Sequence, residues 1–380
     1  MFDTFSAIAR PRGIRVALPA LASPWQSLAY QALDSLLREF FNGFEQTQHV
    51  MPFPRQKFQV EEDWQRGDVF QRALILDTFL DFNSYLSQQL QEVIAAEVQY
   101  LVSTRRNRGI GGWAYFPNLP ELPPDADDLA QIMQVLLRAG YAEVLAPFIE
   151  VPLQVLLNDQ ANEDAWESWI IPKQMSNEEQ VLQQEWVDKA WGTGSDVEVV
   201  ANLVYALQLY DASRFQAEIN RGLAFLYNNH QGRFCWKSTW YHGDYYGTYV
   251  SLRAICAASG NKIVVEAAIR FLEENRNRDG SWSIKEQGSS PLQTALALLA
   301  LAIAKQYLGQ QLSADWLEPS LQYLQANYTP QQGWPASPFI QMPMGRPYGF
   351  VHTILSYESA SITNNYIAKT CHFIHQHHLL

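Results

Sequence analysis

Three aspartates crowd one point of this chain, in the stretch GGWAYFPNLPELPPDADDLAQIMQVLLRAG, where Gly111, Gly112 and Trp113 lead to Asp125, Asp127 and Asp128. Pro123 and Pro124 prevent a helix from starting earlier, Asp125 is a good N-cap, and Leu129, Ile132, Met133 and Leu136 form an apolar helical face that runs to Gly140. The carboxylates therefore occupy a first helical turn. Ionising all three in a partly dry site would cost several kcal/mol in repulsion and desolvation, so at least one is expected to hold a proton at neutral pH and to be usable as a general acid. Capping explains part of the pattern, since Asp125 and Asp128 form an acidic variant of the capping box. The helix dipole favours ionised groups here by about 0.3–1 kcal/mol. Neither effect gives a use to Asp127, which is expected on a different face.

The elements that position these acids come from an internal repeat. QYLVSTRRNRGIGGW, AFLYNNHQGRFCW, RFLEENRNRDGSW and QYLQANYTPQQGW share an apolar pair, a polar run and a terminal Gly-Trp or Trp, ending at Trp113, Trp236, Trp282 and Trp334. Each is followed by a loop and a small-residue apolar segment: DADDLAQIMQVLLRAG, GTYVSLRAICAASG, PLQTALALLALAIA and GFVHTILSYESAS, all read as helices; SDVEVVANLVYALQL after Trp191 is a fifth. Amphipathic helices alternating with nearly all-apolar ones predict an all-α fold, an α/α barrel with outer and inner rings. The inner helices begin around one end of a cavity. Besides the acids, that rim should carry Trp240, Tyr241, Tyr245 and Tyr246 before a helix starting near Thr248, and Tyr348 and Phe350 before one carrying His352. Trp282 and Trp334 are read as clamps between loops and helix ends.

With 380 residues, 47% of them hydrophobic, the chain can bury a large core, and 12 Trp, 18 Tyr and 19 Phe make it aromatic-rich. The net charge of −12 argues against nucleic acid as a partner. No apolar run approaches the ~18–20 residues that span a bilayer, and MFDTFSAIARPRG lacks a signal-peptide core, so the expected location is cytoplasmic. Cys235, Cys256 and Cys371 read as reduced core thiols.

The Gly-Trp repeats, GGWAY and DADD resemble the QW, GGWAF and DXDD motifs of the class II terpene cyclases of the squalene–hopene cyclase type, over roughly residues 65–380. The resemblance implies that Asp127, the middle carboxylate, protonates a terminal alkene or epoxide while Asp125 and Asp128 hold and polarise it. It further implies cation-stabilising roles for Tyr115 and Trp240, and, through GRPYGFVHTI, pocket positions for Tyr348 and Phe350. The chain is similar to the single-domain cyclases that act on prenylated aromatic acids, which implies a hydrophobic polyprenyl substrate such as geranylgeranyl 4-hydroxybenzoate. No cofactor is then required, with Mg²⁺ needed only for a diphosphate substrate. Peripheral membrane contact would serve substrate uptake. Residues 1–64, helical over PALASPWQSLAYQALDSLLREFF and extended over HVMPFPRQKF, are read as an extension packing on the barrel of residues 65–380.

Departures from the pattern are equally specific. Where the bacterial triterpene members carry DVxxxH, SDVEVVANLV offers Val200, with Asn202 two residues on. A diterpene or sesquiterpene diphosphate cyclase is the alternative, with Arg105, Arg106 and Arg108 as its compact basic cluster. A barrel like the β subunits of protein prenyltransferases would keep Asp244 and His352 but has Tyr246 at the Cys position of its zinc site, and tyrosine is a poor zinc ligand. A non-enzymatic binding barrel and a metal at His372, His375, His377 and His378 are further readings; no metal site is expected.

Overall fold

The structure, a computed structural model, describes residues 23–377 except 83–87, 159, 163–164, 231, 233, 286, 350 and 352. Helix α2 (Val69–Asp81), α4 (Ala126–Arg138), α7 (Val197–Asp211), α9 (Tyr245–Ala257), α11 (Pro291–Tyr307) and α13 (Ala360–Gln376) pack side by side in that order, and α13 returns to α2 to close an inner ring. Outside it, α1 (Pro24–Phe41) lies on α13, α3 (Gln88–Ser103) on α2, α5 (Ala142–Asn158) on α4, α8 (Gln216–Asn228) on α7, α10 (Lys262–Glu274) on α11 and α9, and α12 (Ala314–Ala326) on α11 and α1. This is the all-α double ring that the alternation of helix types predicts. Burial separates the rings as expected: α11 is buried without interruption from Pro291 to Ala302, whereas α10 buries one face only.

The repeat tryptophans join the rings. Trp113, Trp236, Trp282 and Trp334 are fully buried, and each indole Nε1 donates to the carbonyl of the repeat's own leucine: Leu101 (2.7 Å), Leu226 (2.8 Å), Leu272 (2.9 Å) and Leu324 (2.7 Å). Those carbonyls lie near the C-terminal ends of outer helices, where backbone acceptors lack intrahelical partners. On the other side, the backbone N–H of Trp236 and Trp282 donates to Thr248 (3.2 Å) and Thr294 (3.1 Å) in the next inner helix. Gly247 makes the approach possible, because a Cβ there would lie 2.3 Å from the carbonyl oxygen of Trp236. The same clamp thus holds the starts of both α9 and α11.

Every inner helix is entered through Asp or Ser at the N-cap position, and at Asp125, Ser290 and Ser359 the side chain accepts a first-turn backbone N–H. One segment departs from the sequence reading. GFVHTILSYESAS is not a helix: β7 (Ser337–Met344) and β8 (Thr353–Ser359) form an antiparallel hairpin, and α13 begins only at Ala360. The β-branched residues Val351, Thr353 and Ile354 favour the extended form. A second hairpin, β1 (His49–Pro52) with β2 (Trp64–Gly67), stands beside it, tied by Tyr357 Oη donating to the carbonyl of Thr47 at 2.6 Å. The short helix α6 (Glu178–Trp186) and a π turn over Val187–Trp191 complete the rim, and two short antiparallel pairs, β3 (Gln160–Asn162) with β4 (Ala165–Trp166) and β5 (Ser283–Ile284) with β6 (Gly288–Ser289), complete the strands of the described residues.

Candidate active site

The N-terminal halves of α2, α4 and α7, the loops before α4 and α9, and β7 enclose one cavity. Its empty space is about 670 Å³ including the open mouth, of which about 80 Å³ admits the centre of a water molecule, so it is a narrow slot. Asp125, Asp127 and Asp128 supply its acid end, and Phe70, Tyr115, Phe116, Trp169, Trp240 and Tyr241 its aromatic walls. Ile340 and Met342 of β7 form an apolar side. Backbone pairing fixes that side, since His242 N–H donates to the carbonyl of Phe339 (2.8 Å) and Gln341 N–H to that of Trp240 (2.9 Å).

Each acid has a distinct setting. Asp125 Oδ1 accepts the backbone N–H of Asp128 at 2.8 Å, the capping bond the sequence anticipates. Burial raises the Asp125 carboxyl above its ordinary range; it raises Asp128 well above, aided by the negative charge of Asp125 beside it, so Asp128 keeps its proton. Asp127 Oδ1 accepts Asn202 Nδ2 at 2.6 Å and Oδ2 accepts Tyr241 Oη at 2.5 Å. Both bonds favour the ionised form, yet burial outweighs them and pushes this carboxyl up to about 7. A proton is therefore present on a substantial fraction of molecules at neutral pH, 8% of the residue's surface remains open, and the cavity has Asp127 in its lining.

A fourth buried carboxyl, Glu198, holds the aromatic loop. Its Oε1 accepts the backbone N–H groups of Thr239 and Trp240, both at 2.8 Å, and burial raises its pKa despite them. Trp240 in turn donates Nε1 to Asp196 Oδ2 (2.7 Å) and meets Trp169 edge-on at 5.5 Å. Arg346, in the turn after β7, lies 4.8 Å above the Trp240 ring and pairs with Asp196 at 3.1 Å. Tyr115 is fixed by Gln71 Nε2 donating to its hydroxyl (2.6 Å) and by His49 Nδ1 at 2.9 Å. Burial lowers the His49 pKa to about 4, so its ring is neutral at pH 7.

Of the residues singled out from sequence, Asp125, Asp127, Asp128, Tyr115, Trp240 and Tyr241 meet in the cavity, and Asn202 touches the acid from below. Tyr246 lies under that layer, its ring 4.0 Å from Tyr241 and its hydroxyl accepting Asn202 Nδ2 at 3.2 Å. Two expectations are corrected. Tyr245 turns outward against Phe271, because α9 starts at Tyr245 rather than near Thr248 and its first turn points that side chain at the outer ring. Tyr348 is 65% exposed, because its segment is a hairpin turn and not a helix entrance. Phe350, His352 and His378 lie outside the described residues. His372 stacks on Phe82 at 3.9 Å, His375 bonds Ser23 and His377 bonds Gln306, so these histidines serve different neighbours. Among the described residues no group of three or more His, Cys, Asp or Glu is arranged to hold a metal ion.

Sequence reasoning missed Phe70, Phe116, Trp169, Ile340, Met342, Glu198 and Arg253. The last two carried a signal: each is a charged residue in an otherwise apolar inner segment, VEVVANLV and TYVSLRAICA. Nothing in the sequence marks the others, whose role depends on which loops meet.

A family model for the squalene-hopene cyclase C-terminal domain matches residues 87–360. The chain belongs to that family. A terpene cyclase–glycosyl transferase fusion protein of Humicola fuscoatra is 26% identical over 194 residues, 47% of this chain and 14% of that protein. A type B diterpene cyclase of Mycobacterium tuberculosis is 27% identical over 124 residues, 32% of this chain and 24% of that one. The match thus spans less than a quarter of these relatives' length. In fold, the chain resembles the type II terpene cyclase MstE from Scytonema, with a TM-score of 0.66 at 15% identity over 94% of this chain and 99% of that one. One solved form of MstE holds geranylgeranyl dihydroxybenzoate as substrate, and another holds merosterolic acid A as product. Among the described residues no helix of this family member is long and apolar enough to cross a membrane.

Proposed function

We propose that this chain is a class II, protonation-initiated cyclase that folds the polyprenyl chain of a prenylated aromatic acid and closes it into a polycyclic scaffold. The observation that carries the reading is Asp127: a carboxyl raised to about 7 at the end of an aromatic slot, with a hydrogen-bond donor on each oxygen. Family membership and the fold shared with MstE support it.

In this reading the terminal alkene's π pair takes the proton of Asp127 and a tertiary carbocation forms. Neighbouring double bonds then attack in turn, each closing a ring and passing the charge away from the acid, until loss of a proton ends the sequence. Substrate and product have the same composition, so no redox partner is needed, and cyclases of this class generally need no cofactor. A carboxylic acid is a weak donor to an alkene, so the chain must be held near its attack geometry and water kept out. The rings of Phe70, Tyr115, Phe116, Trp169 and Trp240 are suited to meet the cation, each desolvated contact being worth up to about 2 kcal/mol.

The head group follows from where the cations lie. Arg106 donates to the carbonyl of Leu119 and, with Arg108, faces Glu179, while Arg105 lies over Phe148; none lines the cavity. The diphosphate alternative thereby loses its basic cluster. Arg346 does not line the cavity either and is paired with Asp196, but its guanidinium lies 4.8 Å over the ring of Trp240, which does line it, so one carboxylate at that wall could share this cation. The same reading divides the chain into a 1–64 extension and a 65–380 cyclase domain, and places the enzyme in the cytoplasm, touching a membrane surface to take up its substrate.

The test is to incubate the purified chain separately with geranylgeranyl 4-hydroxybenzoate, geranylgeranyl dihydroxybenzoate, geranylgeranyl diphosphate and squalene, resolving isomeric products by chromatography. New isomers from the benzoates support the reading. Turnover of the diphosphate alone moves it to a diphosphate cyclase, and no isomer from any of them removes it.

A further inference from the structure

Below the acid the barrel is not apolar. Asp77 and Asp81 of α2 face Arg138 of α4, Arg253 of α9 and Lys369 of α13. Lys369 Nζ lies 2.8 Å from Asp77 and 2.6 Å from Asp81, and Arg138 bonds both carboxylates. Arg253 is left with the weakest share: its nearest carboxylate oxygen, on Asp77, is 3.8 Å away. Three cations thus meet two carboxylates, and the surplus positive charge rests on the member nearest the cavity. A buried cation without a full partner is expensive, so this excess calls for an anion elsewhere.

Arg253 Nη2 donates to Asn202 Oδ1 at 2.8 Å, and Asn202 Nδ2 donates to Asp127 Oδ1 at 2.6 Å. The first bond fixes the second. An amide whose oxygen is held by a guanidinium can present only N–H to the acid, and an N–H stabilises a carboxylate rather than a neutral carboxyl. We propose that Arg253 is the counter-ion of the Asp127 carboxylate left when the proton departs, acting through Asn202 as a positioning residue. The inference rests on the reading of Asp127 as the proton donor. Before transfer Asp127 is neutral and the positive excess is uncompensated; after transfer the two charges are linked by one amide. The arrangement therefore favours the state after transfer over the state before it, the condition for lowering a barrier with fixed charges.

Other ionisable groups surround both ends. Asp127 faces Asp125 and Asp128 on its own helix, Glu198 on α7, Tyr246 on α9, and Tyr241 from the loop. Arg253 faces Tyr205 on α7, Tyr249 on its own helix, Asp77 on α2, and Tyr366 and Lys369 on α13. A titration must therefore be read at Asp127 itself.

The experiment labels aspartate with ¹³C at the carboxyl carbon and follows the Asp127 signal, assigned by its loss in Asp127→Asn, from pH 4 to 9 in the wild type, Arg253→Gln, Arg253→Lys and Asn202→Leu. Removing the cation or the link should move the midpoint upward by about one pH unit, and Arg253→Lys should move it less. With a cyclised substrate, Arg253→Gln should lower kcat about 100-fold at little change in KM, and the Arg253→Gln/Asn202→Leu pair should be no worse than its worse member. A midpoint that stays put or falls in Arg253→Gln and Asn202→Leu overturns the proposal, as do losses that multiply in the double variant. Should Arg253→Gln fail to fold, Asn202→Leu and Arg253→Lys carry the same test. The ¹³C titration needs no substrate, so a wild type that cyclises nothing removes the proposed function and leaves the electrostatic link to be judged on its own.

Discussion

Tyr241 Oη donates to Asp127 Oδ2 at 2.5 Å, and the same ring lies 4.0 Å from that of Tyr246 at a tilt of 36°, so ring packing fixes the phenol that touches the acid. With Asn202 on the other oxygen, the carboxyl is held at both ends and has its remaining lone pairs for the proton and the cavity. Tyr241→Phe keeps the ring and removes the donor. We expect kcat about 10–100-fold lower, because the carboxylate left by proton transfer loses a charge-assisted hydrogen bond worth roughly 1.5–3 kcal/mol. Steady-state kinetics against wild type decide it; unchanged kcat would show that the phenol merely packs.

Asp127→Asn should stop cyclisation by about 10⁴-fold or more, at the upper limit of ordinary general-acid effects, since bulk solvent offers no substitute acid inside the slot. Circular dichroism should show the fold intact. Asp125→Asn and Asp128→Asn should cost less, because they tune the donor. Retention of a tenth of wild-type turnover by Asp127→Asn would end its assignment.

Stability should record the same carboxyl. Its folded pKa is about 7 against an ordinary 3.8, so the unfolded chain ionises first as pH rises, and stability is lost between those two values. Asp127→Asn lacks this penalty. We expect it to be more stable than wild type by a few kcal/mol at pH 8, on the order of the linkage for a three-unit shift, and nearly equal at pH 4. Urea unfolding at both pH values measures it; a variant less stable at pH 8 contradicts the burial argument.

Trp240→Ala and Tyr115→Ala should change what is made more than how fast substrate disappears. Each opens one wall of the slot, leaving an intermediate cation without its ring face and within reach of water. Partly cyclised, hydroxylated products are expected by chromatography. A normal product at normal rate from both variants would mean that the cation passes elsewhere.

Chelation should leave activity untouched. If EDTA abolishes turnover and excess Mg²⁺ restores it, the head group is a diphosphate, and Arg346→Ala, expected to raise KM for a benzoate about 10-fold or more through loss of a charged hydrogen bond, should then do little.

The sequence made the barrel and the acid legible for a common reason: both depend on local order. The Leu-to-Trp repeat encodes a hydrogen bond within its own segment, and the DADD run encodes a helix start, so neither needs distant contacts to be seen. Tyr245 and Tyr348 were misplaced because a helix boundary off by about three residues turns side chains to another face, and because GFVHTILSYESAS is apolar enough to read as helix until its pairing with β7 is known. Phe70, Trp169 and Met342 come from three separate parts of the chain, and only folding brings them to one slot. Arg253 was visible as a charge in an apolar helix, but its link to Asp127 runs through a residue of another helix.

The hairpin of β7 and β8 has a consequence for how such a molecule changes over time. Asp127 and its partner Asn202 stand on the inner helices α4 and α7, whereas Ile340 and Met342 stand on a ribbon laid across the mouth and held largely by backbone pairing. Backbone pairing is indifferent to side-chain identity. On the proposed reading, substitutions on that ribbon would recast the mould around the folded chain while leaving the Asp127 carboxyl in place, so new carbon skeletons could arise without loss of the initiating acid.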